Sequence, residues 1–336
     1  MEEASHLIRP MAVLALLATV IAQSVAPAIK GVAMGMGRVI DGIDVAAGIV
    51  SHLLAIATTA LAIGLILLIA RDRKINILVR ILLIAQTAVI LILGVPAARF
   101  RLSAFACFFI GLVACGLALV SSLEGMRQPR SRAPGLVLAV TTIAALLRMI
   151  PAAILSLSEP ARAESFQPLA SLLASVSAVV FGAAVFMTLA WLAARGRRLV
   201  APVSTIVLAA SMVLTWGALR GEKPDAPAWT LFLSRAMTEL VPDPTTLLPQ
   251  FVVFFIAALA PLTAVAAISS RRQIPAVLGA LALTVTAGSA PDVPGRALIL
   301  ALASLSVVLA SRDDRGMWAA LIGRPLAPNP PPSSGG

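Results

Sequence analysis

Long apolar runs, broken by short clusters of arginine and small polar residues, recur along the whole chain. They fall at 10–29, 44–70, 75–96, 102–121, 134–157, 168–194, 199–219, 247–270, 274–290 and 296–311. A bilayer-spanning helix needs about 20 predominantly apolar residues, and most of the runs reach that length. Backbone N–H and C=O groups in hydrocarbon must be satisfied inside the segment, so each run is predicted as a helix. The period-two alternation of a membrane barrel strand is absent. The predicted fold class is all-α: a polytopic transmembrane helix bundle of about ten spans.

The last two runs are the shortest. They are joined by Gly288-Ser289-Ala290-Pro291-Asp292-Val293-Pro294-Gly295. A shallow re-entrant pair there would leave eight full spans; ten is the preferred count. Residues 1–311 read as one transmembrane domain. Residues 312–336 read as a cytoplasmic, largely disordered tail, because Pro325–Gly336 is rich in Pro, Ser and Gly and supplies no core. Within the long loop 220–246, Trp229, Phe232, Leu233, Ala236, Met237 and Leu240 recur at helical spacing. This predicts an interfacial amphipathic helix over about 227–240, ended by Pro242 and Pro244.

Composition sharpens the class. The 336 residues are 60% apolar and 12% charged, against about 25% charged in an ordinary soluble protein. A soluble globular domain is excluded. The net charge is +11, from 26 Lys and Arg against 15 Asp and Glu. Fifteen basic residues fall on one side: Arg9; Arg71, Arg73, Lys74; Arg127, Arg130, Arg132; Arg195, Arg197, Arg198; Arg271, Arg272; and Arg312, Arg315, Arg324. The other side holds nine, and Arg80 and Arg148 lie inside spans. The positive-inside rule makes the richer side cytoplasmic, with both termini inside. The charge is an orientation signal, so no nucleic-acid partner is expected. The N-terminal run is read as uncleaved, because Glu2 and Glu3 precede it where a signal peptide carries basic residues. The expected location is a bacterial cytoplasmic (inner) membrane, crossed many times.

Candidate chemistry is sparse. The histidines are His6 and His52, and neither Cys-x-x-Cys nor His-Glu-x-x-His occurs. No metal, no cofactor and no catalytic residue is assigned. Cys107 and Cys115 would stand ~12 Å apart on one helix, beyond disulfide reach. With Ser103 and Gly111 they form an i+4 ladder of small residues, which is read as a helix-packing face. Ala47, Ser51, Ala55 and Thr59 form a second ladder. Arg80 lies close enough to the cytoplasmic end of its run for its side chain to reach the interface.

Arg148 lies deeper, roughly 13 Å below the external end of its run. Intramembrane charges mark functional sites by default. Pro151 follows three residues later and frees the Leu147 carbonyl. On the second run, Asp41, Asp44, Gly48 and His52 share an arc of about 80°. The expectation is a polar pocket in which Arg148 faces Asp44 and His52, with Asp41 at its mouth. Pro261 interrupts the eighth run, and Pro151 and Pro261 are the candidate helix breaks.

These features predict a secondary transporter or exporter of a small solute. The first alternative is a non-catalytic membrane subunit or scaffold, whose partners are other membrane subunits and the lipid bilayer. The second is a membrane-embedded lipid-modifying enzyme using Glu222, Asp225, Glu239 and Asp243 of the external loop.

Overall fold

The capping and proline pattern explains where the helices begin and end. The computed structural model describes residues 7–25, 43–72, 75–95, 104–129, 131–157, 160–194, 261–270, 273–289 and 293–312, which are nearly all helical and contain no strand. The helices are α1 (Ile8–Val20), continued by a π turn over Ile21–Val25, and α2 (Ile43–Arg71). α3 (Ile77–Gly94), α4 (Ala104–Met126) and α5 (Arg132–Leu157) follow. α6 (Pro160–Ala194), a short helical segment at 261–268, α7 (Gln273–Ser289) and α8 (Val293–Arg312) complete the set. Four stretches are long and apolar enough to cross a membrane: Gly48–Arg71, Ile77–Gly94, Ala106–Met126 and Ser165–Ala184.

Asn76 starts α3 by leaving helical backbone geometry and accepting the Leu78 N–H at 3.0 Å, the usual N-cap bond. Val95 ends it in extended geometry, as a residue followed by proline tends to. α6 starts eight residues before the run predicted at 168, and Pro168 lies inside the helix. Pro160 explains the earlier start, since a first-turn proline forfeits no intrahelical bond. α8 likewise begins at Val293, three residues before the predicted run, and takes Pro294 into its first turn. Its 20 residues measure ~30 Å at 1.5 Å each.

α8 is the axis of the packing. It touches α1, α3, α4, α5 and α7, and its residues from Ala297 to Leu309 are buried. A helix apolar on all sides can be enclosed on all sides. α2 and α6 lie at the margin. α2 exposes Val45, Ile49, Leu53, Ile56, Ile63 and Leu67; α6 exposes Leu169, Leu172, Val176 and Val179. Polar side chains such as Gln86, Thr87, Ser121, Thr141 and Ser304 are instead buried. Large apolar side chains outside and polar ones inside is the arrangement that hydrocarbon solvent favours.

Glycine sets two close approaches. A Cβ at Gly279 would lie 2.5 Å from the Ile268 nitrogen and 2.7 Å from the Ala264 oxygen. A Cβ at Gly135 would lie 2.9 Å from the Ser122 oxygen. The first lets α7 fold back on the 261–268 segment; the second brings α5 onto α4.

Candidate functional site

The polar heart of the described bundle is Gln86. It is the single glutamine of the 75–96 run, and it is fully buried. Its Nε2 donates to the Ala301 carbonyl and to Ser304 Oγ, both at 2.7 Å. Ser121 Oγ donates to Gln86 Oε1. Ser304 Oγ in turn donates to the Ala301 carbonyl at 2.9 Å. One amide therefore ties α3, α4 and α8 together and uses both its N–H donors. Burying an amide without such partners costs several kcal/mol in an apolar medium, so the three helices must meet at this height. Sequence reading missed this residue; its signal was a glutamine in the middle of the 75–96 run, away from the polar residues at its start.

Smaller polar links join the other helices. Thr141 and Thr284 share a hydrogen bond of 3.0 Å between α5 and α7. Ser177 Oγ donates to the Ala144 carbonyl at 2.6 Å, between α6 and α5. Thr19 and Thr58 stand 3.5 Å apart between α1 and α2. At one end of the bundle, the buried Arg9 donates from Nη2 to the Ser269 carbonyl. Gln273 Nε2 donates to the Pro129 carbonyl at 3.0 Å. Three segments assigned to the basic side are thereby drawn to the same end. Arg80 Nη2 donates to the Ile75 carbonyl at 3.0 Å, so its head turns back toward the start of α3.

The predicted pocket is not assembled by direct packing of its two helices. α2 packs on α1 and α3, whereas α5 packs on α4, α6, α7 and α8. α8 lies against α5 but is not among the helices that pack on α2. Asp44 lies in the helical backbone of α2 and Arg148 in that of α5. Asp41 lies outside the described residues. His52 is exposed among Ile49, Leu53 and Ile56, and its Nδ1 donates to the Gly48 carbonyl at 2.8 Å. α2 has 29 residues and is ~43 Å long. Counting about 20 residues back from Arg71 puts His52 at the far edge of a hydrocarbon layer, not deep within it.

Pro151 does not interrupt the helix that carries it. α5 stays helical through Pro151 to Leu157; one lost backbone bond is tolerable when the turns on both sides persist. Pro261 is buried and opens the described 261–268 segment, and the residues before it lie outside the described residues. In the small-residue ladder, Ser103 lies outside the described residues, Cys107 is half-buried, and Gly111 and Cys115 are buried. Cys115 Sγ lies 3.7 Å from Met149 Sδ on α5. Loop 220–246, its acids Glu222, Asp225, Glu239 and Asp243, and the tail beyond Arg312 lie outside the described residues. Among the described residues, no cluster of three His, Cys, Asp or Glu is placed to hold a metal ion.

No protein-family model, no curated protein and no solved structure matches the chain.

Proposed function

We propose that the chain is a multi-pass membrane protein whose bundle serves as a non-catalytic subunit or scaffold of a larger membrane assembly. The observation that supports this is how the buried polar side chains are used. Gln86, Ser121 and Ser304 bond to one another across helices, as do Thr141 and Thr284, and Ser177 bonds from α6 to α5. Groups spent on fixing helices to helices make a rigid frame around α8. The exposed apolar stripes of α2 and α6 then offer surfaces to lipid or to partner helices. Within this proposal the chain has about ten spans, lies in a bacterial inner membrane and keeps both termini in the cytoplasm. Reporter fusions after Arg130, Arg197 and Arg312 test the orientation: all three should read cytoplasmic.

A carrier of a small solute is the second reading. α5 favours it, since one helix carries Arg148, Pro151 and the buried Thr142, whose hydroxyl has no hydrogen-bond partner among the described residues. Co-purification from native membrane separates the two. The scaffold reading expects a stoichiometric membrane partner that survives mild detergent. A chain that purifies alone and moves solute into vesicles establishes the carrier instead.

A further inference from the structure

A groove of about 590 Å³ runs between α3 and α4, a volume within the range of small-molecule clefts. Its lining changes character with depth. Along α3 it passes from Asn76 to Val79 and Leu82; along α4 it passes from Arg127 to Leu123 and Val120. The helices run in opposite senses, so Asn76 and Arg127 share one end and Leu82 and Val120 the other. From Asn76 to Leu82 is ~9 Å along the axis. The walls are open on the outside, since Leu78, Val120 and Leu123 are exposed apolar side chains.

The polar end favours an anion. Arg127 Nη1 pairs with Glu124 Oε2 at 3.1 Å, yet the Arg127 side chain remains 79% exposed. The carboxylate holds the guanidinium at the rim and leaves most of its surface accessible. Opposite it stands the N-terminus of an 18-residue helix capped by Asn76, an end that carries partial positive charge. The connector sequences 71–76 and 127–132 carry Arg71, Arg73, Lys74, Arg127, Arg130 and Arg132 against Asp72, a formal +5, which Glu124 near the end of α4 lowers to +4. Both helices contain stretches long and apolar enough to cross a membrane, so bilayer lipid is the molecule that would meet this groove.

We propose that the α3–α4 groove seats an anionic phospholipid, with its phosphate between Asn76 and Arg127 and its acyl chain along Leu82 and Val120. The charge complementarity at the rim selects the head, and the apolar trough selects an acyl-bearing ligand over a soluble anion. Basic pockets between membrane helices are a known form of lipid recognition.

The test uses the full chain, purified in detergent and stripped of lipid, with native mass spectrometry as readout. Phosphatidylglycerol should be retained about fivefold over phosphatidylcholine of identical chains, as one basic group near the surface supplies. Glycerol phosphate alone should not compete. Arg127→Gln combined with Asn76→Ser, which keeps a capping side chain on α3, should bring the preference close to one at a nearly unchanged melting temperature. Leu82→Trp should weaken both lipids by filling the trough. If that variant does not fold, Val120→Trp on the exposed wall replaces it, and Ile63→Trp on α2 is the control that leaves binding intact. Equal retention of the two lipids by the unmodified chain overturns the proposal. So does a preference that survives the Arg127 and Asn76 changes, and competition by glycerol phosphate would assign the rim to a soluble anion.

Discussion

Gln86 on α3 and Ser304 on α8 are 218 residues apart in sequence and 2.7 Å apart in space. Their hydrogen bond sits where α3, α4 and α8 are joined through the single side chain of Gln86. Gln86→Leu should therefore lower stability by about 2 kcal/mol, at roughly 0.6 kcal/mol for each membrane hydrogen bond lost plus the cost of stranding Ser121. Ser304→Ala should cost less. The double variant should fall short of the sum, because the two residues share one bond. Thermal melts in a single detergent check all three.

Gly279 meets backbone, not a flexible side chain, so its space cannot be recovered cheaply. Gly279→Ala should push the 261–268 segment off α7 and cost about 1–3 kcal/mol. Gly48 offers the contrast, with nothing within 4 Å of a built Cβ. Gly48→Ala should be neutral or stabilise by up to ~1 kcal/mol through helix propensity. A melting curve that ranks the two variants the other way refutes the close approach.

Arg9 is 2% exposed, an unusual state for an arginine in the first turn of a helix. Its bond to the Ser269 carbonyl joins α1 to the end of the 261–268 segment. Arg9→Ala should cost about 2 kcal/mol, as expected for a hydrogen bond to a charged donor. Arg132→Ala, at an exposed arginine, should change stability by less than about 0.5 kcal/mol. Denaturant-induced loss of helical signal provides the comparison.

The two cysteines differ in access. Cys107 is half-buried, and Cys115 is buried against Met149. A small maleimide added to the detergent-solubilised protein should modify Cys107 first and leave Cys115 unmodified until the α4–α5 contact opens. Peptide mass mapping over time decides it; early modification of Cys115 would mean that the contact is loose.

Much of the helical outline was legible along the chain, because a helix satisfies its own backbone and needs only a run of apolar residues. The runs at 44–70, 75–96 and 102–121 differ from α2, α3 and α4 by a few residues. α6 and α8 start before the apolar runs at 168 and 296, because a helix can extend through a polar or proline-bearing first turn beyond its apolar stretch. The pattern alone did not say whether the polar arc of α2 faces Arg148. Sharing an arc of one helix says which residues move together, not which way that arc points. His52 belongs to such an arc and is exposed.

The sequence by itself determined the class: apolar runs of bilayer length, charges confined mostly to the connectors, and no metal-ligand or nucleophile motif. Those are properties of single segments, and the solvent acts on each segment separately. Only the tertiary structure decided that α8, among the shortest runs, is the enclosed axis, and that α2 packs on α1 and α3 while α5 packs on α4, α6, α7 and α8. It also decided that Gln86 joins three of the described helices. Such choices depend on which surfaces meet, and in an apolar solvent small residues and paired hydrogen bonds make that choice, since hydrophobicity no longer separates inside from outside.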